Sequence, residues 1–238
     1  GGAWSPIGDV TTIMLWIDGQ VTTVPIIANV IFPSLICMIV PLTLLSFTMK
    51  GNVDRPELKE EAIEYTTPKE QRLFLIAGVL GLLFVPVFKN VTHLPPYMGM
   101  LFSLGVIWVM GEIIHRNKPE EIKNKLKITS VLRKIDVPTV LFFLGILSAV
   151  AALQSAGQLN VLAKFLDENM GNVYLIDLSI GLLSAIVDNV PLVAGAMKMY
   201  PVANDTMCLA AANPEYMTNF VQNGIFWSFL AYTAGTGG

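Results

Sequence analysis

The chain has 238 residues, of which 53% are hydrophobic and 14% charged, with a formal net charge of −3. A soluble domain carries roughly 25% charge, so the polar surface that would hold this chain in water is missing. All Lys and Arg except Lys89, Lys164 and Lys198 lie in two stretches, Lys50 to Arg72 and Arg116 to Lys134. No basic face points to a nucleic acid, and long uncharged runs lie between the two stretches.

The chain opens in a glycine-polar stretch, GGAWSPIGDVTT, without an initiator Met or signal peptide, and finishes in another, AYTAGTGG. The expectation is an internal slice of a larger membrane protein. Asp9 to Ile17 is predicted as a short helix of ~13 Å, at about 1.5 Å per residue. That is under half of the ~30 Å hydrocarbon core, so it reads as the second half of a helix broken at Ser5-Pro6-Ile7-Gly8. Pro25 to Met49 carries no charge and is long enough to span, with Pro33 and Pro41 as expected kinks. A polar linker follows over 50–72, with a short surface helix at 57–62. Further spans are predicted over 73–88, 96–114 and 137–156, with Arg72 and Lys89 snorkelling at the ends of the first. Residues 116–134 read as an amphipathic helix at the headgroups, and 157–171 as a second surface helix.

Tyr174 to Val187 then enters the membrane, turns at Asp188-Asn189-Val190-Pro191, and returns through Val202 on an arm of ~18 Å, too short to cross. A re-entrant hairpin over 172–202 is the expected arrangement. A polar loop over 204–223 leads to a last helix starting at Ile225, expected to break at Gly235-Thr236-Gly237-Gly238. Basic residues mark cytoplasmic connections, which places 50–72 and 116–134 inside and the turns near Gly19, His93 and Gly157 outside. The fold class is therefore an all-α polytopic membrane protein with a re-entrant hairpin and broken helices.

A carboxylate at membrane depth costs at least ~2.5–3.5 kcal/mol on insertion scales, so Asp188 is expected to have a task. A small hard cation takes oxygen ligands, and Asp188, Asn189 and the Thr236 hydroxyl supply them as a sodium site. Carbonyls of Ala234 and Gly235 join if the last helix is broken there. The first break adds Ser5, Thr11, Thr12 and Asp9. Each has a plainer role open to it. Asp9 fits an N-cap, Asp188 a cap or ion-pair partner, and the hydroxyls ordinary back-bonding to a helix. Asp177, near the hairpin mouth, is expected to be solvated, and His93 and His115 to lie at the surface. Cys37 and Cys208 read as inert thiols. No nucleotide loop, zinc spacing or nucleophile elbow appears, so neither an enzyme nor a cofactor is expected.

The strings GGAWSPIGDVTTIMLW, SAIVDNVPLVAGAM and FWSFLAYTAGTGG, in this order, resemble the NhaD-type sodium/proton antiporters of the ion transporter superfamily. The resemblance covers essentially the whole chain. It implies an inverted-repeat transporter in which residues 1–48 end the first repeat, 50–72 link, and 73–238 form the second repeat. It also implies that a first hairpin precedes Gly1. The function it implies is exchange of sodium or lithium for protons by alternating access, in the cell (inner) membrane, with a homodimer left open. An anion or arsenite carrier of the same superfamily, or a non-transporting membrane scaffold, are the competing readings. An Asp at the hairpin tip would repel an anionic substrate.

Overall fold

A computed structural model describes residues 2–49, 51 and 66–237. The expected surface helix at 57–62 lies outside these residues, as do Gly1 and Gly238. The chain divides into two compact units, residues 1–50 with 139–238, and residues 51–138.

In the second of these units, α3 (Pro68–Thr92) and α4 (Pro96–Ile114) pack as a helical pair joined by a turn at His93. The α3 helix is longer than the predicted 73–88. Thr67 and Glu70 form a capping box that starts it five residues earlier, satisfying free amides at its first turn. At the far end His93 takes a left-handed conformation (φ 57°) that stops it. Ser103 donates to the Gly81 carbonyl at 3.1 Å where the two helices approach. The basic stretch is not one amphipathic helix. It folds as two short ones, α5 (Glu120–Leu126) and α6 (Ile128–Leu132), with the backbone extended at Lys127 (φ −59°, ψ 138°). His115, expected at the surface, is buried and stacks on Phe74 at 5.5 Å.

The first unit holds α1 (Val10–Asp18), α2 (Thr23–Thr48), α7 (Val137–Ser155), α8 (Gln158–Asn169), α9 (Val173–Ser184), α10 (Asn189–Met199), two short helices α11 (Asp205–Ala210) and α12 (Pro214–Met217), and α13 (Ile225–Gly237). Pro33 and Pro41 sit inside α2 without ending it. Beyond Pro41, the Thr43 hydroxyl donates to the Ile39 and Val40 carbonyls, helping to satisfy acceptors around the interruption. Among the described residues there is no strand, only an isolated bridge between Ala203 and Val221.

The centre of this unit is α13, which packs along α9 and also touches α1, α2 and α10. The α9–α13 seam is built from small residues, as close helix packing in lipid requires. A Cβ added at Gly181 would lie 2.6 Å from the Thr233 Cβ, and one added at Gly237 would collide with the Gly181 carbonyl. At the other end of the seam Phe226 and Trp227 are fully buried, and Tyr200 stacks on Phe220 at 4.8 Å. Asn223 fastens the loop before α13 to the start of α2. Its amide donates to the Gln20 carbonyl (2.8 Å), and its side-chain oxygen accepts from the Thr22 amide (2.7 Å).

Among the described residues four helices, α2, α3, α4 and α7, are long and apolar enough to cross a membrane, and only 6% to 11% of their apolar stretches is buried. Water would not tolerate that much bare Leu, Ile, Val and Phe; hydrocarbon does. The chain is an all-α, polytopic membrane protein.

Candidate functional site

Residues 2–9 form a tight, non-helical loop ahead of α1. The Ser5 amide donates to the Gly2 carbonyl and the Gly8 amide to the Ser5 carbonyl, both at 3.0 Å. The backbones of Gly2 and Gly8 then press together so closely that neither has room for a Cβ. The buried Thr12 hydroxyl ties this loop to α1 by donating to the Ala3 carbonyl at 2.8 Å. Asp9 is the N-cap of α1. Its carboxylate accepts from the amides of Thr11 (3.2 Å) and Thr12 (3.4 Å) and from the Thr11 hydroxyl.

The break at Asp188 separates α9 from α10. Asp188 is the N-cap of α10, accepting from the Val190 amide at 3.2 Å, and its side chain is exposed. The two arms are ~18 Å and ~16 Å long, each well short of the ~30 Å apolar core. Their outer ends lie near one another. Tyr200, just after α10, donates to Asp167 of α8 at 3.0 Å, and Asp167 lies a few residues before the start of α9.

The expected break in α13 is not there. The helix runs unbroken through Gly235 and Thr236 to Gly237. Its glycines are contact points rather than hinges. A Cβ at Gly235 would lie 2.9 Å from the Ala3 Cβ and 3.3 Å from the Asp9 carboxylate, and Gly237 rests on Gly181. The Thr236 side chain is exposed and donates back to the Tyr232 carbonyl at 2.7 Å, so it does not join Asp188 and Asn189 as a ligand.

What the fold does gather is a junction around Ala234 and Gly235. The Ser184 hydroxyl donates to the Ala234 carbonyl at 2.9 Å, and the Asn189 amide reaches the same oxygen at 3.5 Å. Gly235 brings Asp9 and the loop at Ala3 against the same turn of α13. Asn189, Asp9, Gly235 and Thr12 thus belong to one junction. Ser5 stays in its own loop, accepting from the Ile7 amide at 3.3 Å. No hydrogen bond between described residues joins Asp188 to Asp9 or to Thr236. Among the described residues no cluster of three or more His, Cys, Asp or Glu is placed to hold a metal ion.

Two residues take places that the sequence reading did not give them. Ser184 is the nearest donor to Ala234. Asp177 is the larger correction. It is not solvated but fully buried in α9, and neither carboxylate oxygen has a hydrogen-bond partner among the described residues. A charged residue type inside the apolar run YLIDLSIGLLS was the available signal.

Helices long and apolar enough to span a membrane, packed with two short helices separated by a break at Asp188, define a membrane protein rather than a soluble binding module. The chain matches the citrate transporter family, CitMHS, over residues 1–221, and it belongs to that family. It is 45% identical to sodium/proton antiporter 1 of Arabidopsis thaliana, an alignment covering 100% of this chain and 38% of that protein. It is 43% identical to sodium/proton antiporter 2 of the same plant, covering 100% of this chain and 53% of the relative. The Na(+)/H(+) antiporter NhaD of Alkalimonas amylolytica is 28% identical over 84% of this chain and 45% of its own length. The resemblance to NhaD-type antiporters thus stands, and the chain spans about half or less of these relatives. No solved structure matches it.

Proposed function

We propose that this chain carries part of the ion path of a secondary transporter that exchanges sodium or lithium for protons by alternating access. The observation that carries the reading is the state of two helix N-termini. An anion carrier needs free N-terminal amides to receive a substrate carboxylate. Here those of α1 and α10 already hold carboxylates of the chain itself, Asp9 and Asp188. A site so supplied with its own negative charge and with amide, hydroxyl and carbonyl oxygens suits a small cation and repels citrate. The names of the relatives point the same way.

In this reading residues 172–202 are a re-entrant hairpin of one repeat, and residues 2–18 end the broken helix of another. Asp188 exchanges a proton for a cation, Asn189 adds a neutral ligand, and Asp9 faces the same path. The reading sets the protein in the cell (inner) membrane with 116–134 toward the cytoplasm, the side supported by the lysines and arginines of that segment. The test uses the full-length protein in sealed vesicles carrying a pH gradient. Sodium or lithium should collapse the gradient and citrate should not. Collapse by citrate alone would overturn the reading in favour of an anion carrier, and no response to any of the three would favour a scaffold.

A further inference from the structure

We propose that Asp177 is a proton-binding carboxyl, separate from the hairpin tip and reached from a polar cleft at the hairpin mouth. Asp177 has no accessible surface, and both of its oxygens lack a hydrogen-bond partner among the described residues. A lone ionised carboxylate cannot persist in such a place without a countercharge or donors, so the group holds either a proton or a cation. A sodium ion would need several more oxygens around it. The two phenols close enough to act electrostatically on Asp177 are Tyr200, after α10, and Tyr216 of α12. Both spend their hydroxyls on Asp167 of α8, at 3.0 and 2.8 Å. From α13, the titratable side chain is Tyr232, which interacts with Cys37 of α2. Asp188 and Lys198 of the α10 arm are exposed. What remains for Asp177 is the proton.

The route to it is also on the structure. A cleft of about 250 Å³ opens between the start of α9 and the α12 region, lined by Asn172, Tyr174, Asn213, Glu215, Tyr216 and Asn219. Tyr216 belongs both to this cleft and to the Tyr216–Asp167–Tyr200 cluster, whose two phenols act electrostatically on Asp177. Water entering the cleft thus meets Tyr216, a phenol that acts electrostatically on the buried acid. Loading forms one O–H bond on Asp177 and breaks one on a hydronium ion, with no change in oxidation state. Asp177 so placed would supply the exchange with a second proton-binding carboxyl, besides Asp188 at the tip. That last step rests on the exchange reading, whereas protonation of Asp177 does not.

The experiment is infrared difference spectroscopy of the full-length protein in lipid, between neutral and alkaline pH, following the C=O stretch of a protonated carboxyl. Wild type should show the band, Asp177→Asn should lose it, Asp177→Glu should restore it shifted, and Asp188→Asn should keep it. In parallel, Asp177→Asn should still bind sodium by calorimetry but lose sodium-driven proton flux. A band that survives Asp177→Asn overturns the proposal, as does wild-type proton flux in that variant. Should Asp177→Asn not fold, an unshifted band in Asp177→Glu overturns it and a shifted one supports it. If wild type moves no protons on sodium addition, the exchange reading fails, while the band still decides Asp177.

Discussion

Asp188 and Asn189 are neighbours in the chain with different contributions at the tip. Asp188 brings charge to the start of α10, while Asn189 leans on the Ala234 carbonyl. Asp188→Asn keeps shape and a capping oxygen but removes the charge, so the protein should fold and insert while sodium-driven proton movement is lost; pH-gradient collapse in vesicles measures it. Asn189→Ala should leave exchange running with apparent sodium affinity weakened about fivefold to tenfold, the worth of one neutral ligand at ~1–1.5 kcal/mol. Unchanged sodium dependence in Asp188→Asn would make that residue structural and move attention to Asp9. The DNVP string was legible in the sequence because a charge, an amide and a proline interrupt an apolar run. Asp177 was legible as a charged residue type in an apolar run, but its burial was not. Whether position 177 faces water or protein depends on α13 lying along α9, a contact about fifty residues distant that no local pattern encodes.

At the scale of elements, the α9–α13 seam and the α3–α4 junction each make a quantitative claim. Gly181→Ala drives a methyl into Thr233 and should cost ~1–3 kcal/mol as overpacking, read as a lowered Tm in detergent. Gly145→Ala on α7, where nothing lies within 4 Å, should be neutral or stabilising by up to ~1 kcal/mol. Equal effects at the two glycines would refute the packing account. At the other junction, burial holds the His115 imidazole below its ordinary 6.5, with Lys118 pushing the same way and Glu70 and Glu112 opposing. A lowered folded-state value means the unfolded chain binds the proton more readily. Stability is therefore fully present above 6.5 and is lost as pH falls through the lower folded value. Amide exchange at residues 115–118, corrected for intrinsic rates, should quicken as pH drops below 6.5, and His115→Gln should flatten that response. The glycines of AGTGG show why sequence misled at this scale. Glycine permits both a broken helix and a tight helix contact, and here the neighbours Ala3 and Gly181 decide for contact.

For the molecule as a whole, the four spanning helices must be matched by a topology. The turn at His93 should face outside, and the segment carrying α5 should face the cytoplasm. With Cys37 and Cys208 replaced by serine, an impermeant thiol reagent should label Leu94→Cys from outside and Lys125→Cys only from inside. The reverse pattern, or labelling of both from one side, would overturn the assignment. Spans, their approximate ends and the break at Asp188 follow from the amino-acid sequence alone, because hydrocarbon thickness, segregation of charge and proline chemistry act locally along the chain. Which polar groups meet is another matter. That Asp9 comes to Gly235, that Ser184 and Asn189 meet on Ala234, and that Asp177 is buried without a partner were decided only by the tertiary structure. The reason is physical: lipid is as apolar as leucine, so hydrophobicity inserts each helix without choosing its neighbour. Close contacts between small residues and a few hydrogen bonds then select the partners.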